Sequence, residues 1–324
     1  MIGEKLKMTI KSFFKYVEIQ TKVASVIPFA LGTLFAIYRY SNFNYVNFLI
    51  MFISLISFDM ATTAINNYID FKKAYKKAGY GYEYHNAIVR DGIKEKAAAA
   101  IIYILLSIAV GFGLLLTIRT SPVVLLVGAL SFAIGIFYTF GPLPISRMPL
   151  GEVFSGFFMG FIIMFLAIFI HIEDKGIAAL TYAGGILSLR INVLEILNLF
   201  VLSLPAVGGI ANIMLANNIC DLEDDIENKR FTLPYYIGKK NALKLFAALY
   251  YMGFADIIVL VLLGIDPIWS LIALITFIPV FTNIKKFQAN PSKHDTFILA
   301  VKNFVIMNIA HILVIAAVLI VKKI

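Results

Sequence analysis

The chain has 324 residues, of which 60% are hydrophobic and 15% charged, with a mean hydropathy of +0.88. An ordinary soluble domain carries about 25% charged residues, so this composition excludes one and points to a membrane protein. The net charge of +9 fits basic loops on one side of a bilayer better than a nucleic-acid partner, and the single cysteine, Cys220, excludes an intrachain disulfide framework.

Residues 1–22 are basic and amphipathic, without the small-residue cleavage pattern of a signal peptide. Nine apolar stretches follow, at 23–40, 47–66, 97–117, 121–140, 151–172, 194–219, 241–263, 267–283 and 296–321. A helix of about 20 apolar residues spans a bilayer. The stretches at 23–40 and 267–283 are shorter and carry Pro28 and Pro279. The expected fold class is an all-α membrane protein with nine transmembrane helices, forming one domain over 1–324. With the N-terminus inside, the outside segments hold only Arg39, Arg119, Lys175, Arg190, Lys322 and Lys323 of the 28 basic residues. This asymmetry predicts a cytoplasmic N-terminus and an external C-terminus. Asp59, Asp256, Lys302 and His311 fall within apolar stretches, where hydrogen bonding between helices is the expected role.

Two inside segments are longer and more polar than the rest, 67–96 and 220–240. Both open on Asn-Asn followed by an acid: NNYID at 66–70 and NNICD at 217–221. This internal similarity suggests two related halves, each offering a polar helix end to a shared cavity. Asn66 and Asp70 are four residues apart, as are Asn217, Asp221 and Asp225 in series, so each set shares a helix face. Oxygen donors of this kind suit Mg²⁺, which keeps several waters and bridges carboxylates to phosphates. Lys72, Arg90, Lys229 and Arg230, with Lys22 further off, supply positive charge for a diphosphate leaving group. An apolar intramembrane pocket beside them would take a lipid tail, so the pattern points to ionisation of a lipid diphosphate at the cytoplasmic surface.

The same residues admit plainer roles. Asn66 and Asn67 can cap a helix end, Asp221 and Asp225 can form a solvated helix end paired with Lys229, and the run Lys72, Lys73, Lys76 and Lys77 can be a positive-inside signal. Tyr138 can face the cavity and stabilise a cation through its ring or anchor the membrane interface. Gly141–Pro142 and Pro144 mark a turn. Similar halves with interrupted helices also suit a secondary transporter, although the acids here sit at helix ends and not at mid-membrane.

Four passages are similar to the UbiA superfamily of intramembrane aromatic prenyltransferases: VIPFALGTLFA at 26–36, NNYIDFKK at 66–73, YTFGPLPISRMPLGE at 138–152 and NNICDLEDDIENKRFTLPYYIG at 217–238. The last resembles the branch that acts on 1,4-dihydroxy-2-naphthoate. The resemblance implies a nine-helix bundle in the cell membrane with its active site facing the cytoplasm. It implies Mg²⁺ as cofactor, a polyprenyl diphosphate donor and an aromatic acceptor. Carried over by position, Asn66, Asn67 and Asp70 form one metal–diphosphate cluster and Asp221 and Asp225 the other, with Lys229 and Arg90 as family cations. Asp70, Asp221 and Asp225 are thus the expected catalytic acids. Asn67 joins them as a metal ligand, and Asn217, Tyr138, Lys72 and Arg230 complete the substrate-binding set. The implied reaction passes through an allylic cation that an electron-rich ring attacks, with loss of CO₂ to give demethylmenaquinone.

The chain departs from the family pattern at three positions. Asn67 stands where the family has Asp, Ala74 where many members have a third acid, and Cys220 where the naphthoate branch has Arg. The first cluster therefore carries less negative charge, which places most of the expected metal binding on Asp221 and Asp225. The change at Cys220 bears on the acceptor, with hydroxybenzoate, homogentisate or haem as alternatives.

Overall fold

The structure, a computed structural model, describes residues 9–73, 86–139 and 144–323. Ala74, Lys76, Lys77, Gly141 and Pro142, singled out from the sequence, lie outside those residues. In chain order the helices are α1 (Ile10–Tyr16), α2 (Val23–Tyr40), α3 (Tyr45–Lys73), the single turn α4 (Ala87–Arg90), α5 (Glu95–Arg119), α6 (Pro122–Thr139) and α7 (Gly151–Phe169). A hairpin follows, β1 (Ala178–Ala183) and β2 (Ile186–Ile191). The chain continues through α8 (Val193–Cys220), α9 (Leu222–Glu227), α10 (Leu233–Ile237), α11 (Lys239–Leu262), α12 (Ile268–Ala289) and α13 (Phe297–Lys323).

Eight of the described helices are long and apolar enough to cross a membrane, and α6 is a shorter apolar helix. Every apolar stretch read from the sequence is matched by a helix. Pro28 lies inside α2 without ending it. Pro279 falls in the first α-helical turn of α12, which begins as a 3₁₀ helix over Ile268–Thr276. Many large apolar side chains on the long helices face outward, among them Tyr103, Ile118, Leu262 and Ile275, as lipid-facing surfaces require.

The chain divides into two compact units. The first comprises Met1–Val23 and Leu49–Leu116. Its core gathers Tyr16, Val17, Ala61, Ala64, Ile88, Ala98 and Ile102. The alanines let the backbones of α3 and α5 approach closely, and the Tyr16 hydroxyl donates to the Ala64 carbonyl at 3.0 Å. Lys22, 3% exposed, pairs with Asp59 at 2.6 Å and donates to Thr63 at 2.7 Å. Asp59 thus has the interhelical role expected of it, and Lys22 is committed to it.

The second unit comprises Ala24–Phe48 and Thr117–Ile324. Here α8 is the central helix, packed against α7, α11 and α13. Gly156 and Gly160 sit in a π-helical stretch of α7 and meet Val207 of α8 so closely that a Cβ on Gly160 would lie 2.7 Å from Val207 backbone atoms. Polar groups join the helices: Asn212 donates to the Phe246 carbonyl at 2.9 Å and the Tyr250 hydroxyl to the Ala300 carbonyl at 2.9 Å, while His311 of α13 contacts Asp266 in the connection between α11 and α12 at 2.5 Å. Such bonds satisfy groups that hydrocarbon cannot.

The hairpin departs from the all-α expectation. Its turn, Gly184–Gly185, has both φ angles positive, at 58° and 81°, as tight antiparallel hairpins require. That Gly-Gly pair was the available sequence signal.

Candidate functional site

The second polar segment begins in the last turn of α8. Asn217 and Asn218 are neighbours, so their side chains diverge around the helix. Asn218, 1% exposed, donates to Glu152 Oε1 at 2.8 Å. This bond sets the first turn of α7 beside the last turn of α8, so the two helices run antiparallel. Asn217 instead donates to Asp221 Oδ2 at 3.2 Å, the contact expected from the four-residue spacing.

The helix breaks at Asp221, whose backbone (φ −95°, ψ 7°) separates α8 from α9. The amide of Asp225 still donates to the Asp221 carbonyl at 2.7 Å, so the acids remain one turn apart across the break. Their surroundings differ. The Asp221 side chain is 26% exposed and is met by Lys293 Nζ at 2.5 Å; Lys293 also donates to Asn217 Oδ1. The Asp225 side chain is 5% exposed and pairs with Arg230 Nε at 3.3 Å, while the Arg230 amide donates to the Asp225 carbonyl at 2.8 Å. Thr232, fully buried, reaches Asp225 Oδ2 at 3.5 Å. Burial pushes the Asp225 carboxyl above its ordinary value of 3.8; the Arg230 charge opposes this and the Asp221 charge adds to it.

Arg230 also donates to the Ser146 carbonyl at 3.4 Å, tying the turn after α9 to the segment before α7. From the last turn of α6 the Tyr138 hydroxyl reaches the Gly151 carbonyl of α7 at 3.5 Å. Tyr138 therefore lies beside Gly151 and Glu152. Lys229 is exposed and adopts a left-handed backbone with φ 53°, which costs a non-glycine residue about 1 kcal/mol. The plainer expectation that Lys229 pairs with these acids is not met: the cations on them are Lys293 and Arg230.

Asn66, Asn67 and Asp70 of the first segment occupy the last turns of α3, with Asp70 exposed. The Asn67 side-chain amide donates to the Tyr16 carbonyl at 2.9 Å and to Glu18 Oε1 at 3.3 Å, and the Asn67 backbone carbonyl accepts from the Asn86 side chain at 2.8 Å. Lys72 forms an ion pair with Glu95, both about half exposed. Arg90 pairs with Asp91 at 2.8 Å and holds that carboxyl below its ordinary range. Of the cations that the sequence offers to a diphosphate, these two are thus engaged with other acids, in exposed pairs that exchange readily. Within the second unit the structure brings Asn217, Asp221, Asp225 and Arg230 together. Within the first it sets Asn66, Asn67 and Asp70 on one helix and gives Lys72 and Arg90 separate partners.

Two residues of the site went unnamed in the sequence reading. Glu152 is 4% exposed, and its Oε2 has no hydrogen-bond partner among the described residues. A lone acid opening an apolar stretch was a usable signal. Lys293 lies 72 residues from Asp221, and no local pattern links them.

Among the described residues no three or more His, Cys, Asp or Glu side chains gather closely enough to hold a metal by themselves. The oxygen donors of Asn217, Asp221 and Asp225 nonetheless fit Mg²⁺, which takes one or two carboxylates and completes its shell with water and substrate phosphates.

The model of the UbiA prenyltransferase family matches residues 25–317. The chain is 32% identical over 273 residues to 1,4-dihydroxy-2-naphthoate octaprenyltransferase of Bacillus subtilis (strain 168), covering 83% of this chain and 80% of that protein. Among solved structures, a UbiA homologue from Aeropyrum pernix K1 in its apo form is 19% identical with a TM-score of 0.62, covering 94% of this chain and 99% of that one. A UbiA homologue from Archaeoglobus fulgidus bound to GPP and Mg²⁺ is 15% identical with a TM-score of 0.62, covering 95% and 99%. These structures share the fold.

Proposed function

The chain belongs to the UbiA prenyltransferase family, and from that premise we propose that it transfers a polyprenyl group from polyprenyl diphosphate to 1,4-dihydroxy-2-naphthoate, giving demethylmenaquinol, the two-electron-reduced form of demethylmenaquinone. In this reading the C1–O bond of the donor breaks and its electron pair leaves with diphosphate. A ring carbon of the acceptor forms the new C–C bond, and the acceptor's carboxylate departs as CO₂. The acceptor assignment is supported by the 32% identity to the Bacillus subtilis enzyme.

The observation that carries the chemistry is the pairing of each acid in the second segment with its own cation, Asp221 with Lys293 and Asp225 with Arg230. Asn217, Asp221 and Asp225 would hold Mg²⁺. Mg²⁺ held there would offset the charge of the departing diphosphate. Lys293 and Arg230 can turn from the acids to the phosphate oxygens of a bound donor, and Lys229 adds to the field. The Tyr138 ring stabilises the allylic cation. Glu152, anchored through one oxygen by Asn218, accepts the hydroxyl proton of the acceptor through the other and makes the ring more electron-rich.

The proposal includes nine membrane-spanning helices with α6 as the short one, an N-terminus on the cytoplasmic side of the cell membrane, and chemistry at that face. The distribution of basic residues supports this orientation. One observation favours a different acceptor: Cys220 stands beside Asp221 where the resemblance leads one to expect Arg.

The test is product formation by the purified protein in detergent with Mg²⁺, a polyprenyl diphosphate and dihydroxynaphthoate, with hydroxybenzoate and homogentisate run in parallel. The expected product is the prenylated, decarboxylated naphthalene, absent for the Asp221→Ala/Asp225→Ala double variant. Turnover only with another acceptor overturns the acceptor assignment, and full turnover by the double variant overturns the site.

A further inference from the structure

The β1–β2 hairpin plays no part in the chemistry above. It joins the ends of α7 and α8 remote from Glu152 and Cys220, and α8, at 28 residues, is about 42 Å long. The register pairs Ala178 with Ile191, Leu180 with Leu189 and Tyr182 with Leu187. Side chains alternate along a strand, so these six apolar residues occupy one face. The other face carries Thr181, Ser188 and Arg190 among small or single apolar residues. Four of the six are open, Tyr182 at 75% exposed, Leu187 at 66%, Leu189 at 52% and Ile191 at 49%, while Ala178 at the start of β1 is buried.

A two-stranded hairpin is marginal in water unless one face is covered, and an open apolar face of this kind marks a contact surface. Burial in hydrocarbon is excluded by the hairpin's two outer edges, because their free N–H and C=O groups need water or headgroups. Both demands are met where acyl chains give way to headgroups. The apolar surface is also continuous with a membrane-spanning one: Val193, Leu194 and Leu197 of α8, 64%, 70% and 53% exposed, carry it on directly from Ile191. The Tyr182 ring suits the membrane interface, and a cation such as Arg190 suits anionic headgroups.

We infer that the β1–β2 hairpin is an interfacial membrane anchor, lying on the bilayer surface with Tyr182, Leu187, Leu189 and Ile191 against the acyl chains and Thr181, Ser188 and Arg190 toward water. The inference rests on the helices spanning a membrane and is independent of the acceptor and of the acids. Trp269 is the chain's one tryptophan, so a Trp269→Phe background allows a single reporter. Tyr182→Trp reports from the apolar face and Thr181→Trp from the polar face. Each full-length variant is placed in phosphatidylcholine vesicles with plain or brominated acyl chains, with the hairpin side accessible to added iodide. The expected result is that the reporter at 182 loses most of its emission to brominated lipid and is shielded from iodide, while the reporter at 181 behaves in the opposite way. Iodide quenching at both positions, with brominated lipid silent, puts the face in water and overturns the anchor. Shielding of position 182 from both quenchers means a second copy covers the face, which also overturns it. Prenyl transfer retained in detergent shows that the variants are folded.

Discussion

Replacing Lys293 by methionine separates a site residue from a structural strut. In the structure its ammonium touches Asp221 at 2.5 Å and donates to Asn217, and the two side chains of the ion pair are 39% and 26% exposed. A pair this accessible to water contributes about 0–1 kcal/mol to stability. Methionine keeps an apolar stem against Phe297, whose ring centre lies 5.3 Å from Nζ, so little packing is lost. Turned to a diphosphate oxygen, the same ammonium makes a charge-assisted hydrogen bond of about 1.5–3 kcal/mol. At about 1.4 kcal/mol per factor of ten, kcat/KM for the prenyl diphosphate falls roughly 10- to 150-fold. The unfolding midpoint in the same detergent stays near that of the parent. Lys293→Arg, which keeps the charge, retains most of the activity. Initial rates over a range of prenyl diphosphate concentrations, with thermal unfolding of the same preparations, give both quantities. If kcat/KM stays within about two-fold of the parent, or activity falls only in step with loss of folded protein, Lys293 does not meet the diphosphate and the reasoning fails.

Three further outcomes follow from the geometry. Arg230→Met removes the charge that opposes the upward push of burial on Asp225, so the acid limb of kcat/KM against pH moves to higher pH. A carboxyl raised in the folded state makes folding less favourable as pH rises from its ordinary 3.8 through the folded value, so the variant gains stability on mild acidification; an unmoved limb contradicts the pairing. Glu152→Gln keeps the acceptor for Asn218 and removes the charge. We expect kcat to fall by about 10²-fold with KM for the prenyl diphosphate unchanged, and an unaltered kcat removes Glu152 from the proton transfer. Gly160→Ala forces a Cβ to within 2.7 Å of the Val207 backbone, which cannot yield as a side chain can. The expected cost is about 1–3 kcal/mol, read as a lower unfolding midpoint, and an unchanged midpoint refutes the close crossing of α7 and α8.

Much of the site was legible because its signals are local. Asn217, Asp221 and Asp225 are spaced by single helical turns, and the bond from Asn217 to Asp221 follows from that spacing. The hairpin is legible in principle from the Gly184–Gly185 pair. The cations on the acids were not legible. Lys229, next to Arg230 in sequence, was the natural partner by proximity, yet the turn after α9 leaves it exposed while Arg230 reaches Asp225. Lys72 and Arg90 were offered to a substrate, whereas the structure gives them Glu95 and Asp91.

By itself the sequence determined the membrane class, the run of apolar helices, the positions of the two polar segments and the family. Each of these depends on composition or on a period of a few residues. Only the tertiary structure decided that Lys293 stands on Asp221, that Glu152 is bound by Asn218, that Asp225 is buried while Asp221 is half-open, and that α7 and α8 touch through glycine. Those pairings join residues tens of positions apart. They are set by which helix faces meet when the apolar stripes pack, and that depends on the summed shape of many side chains.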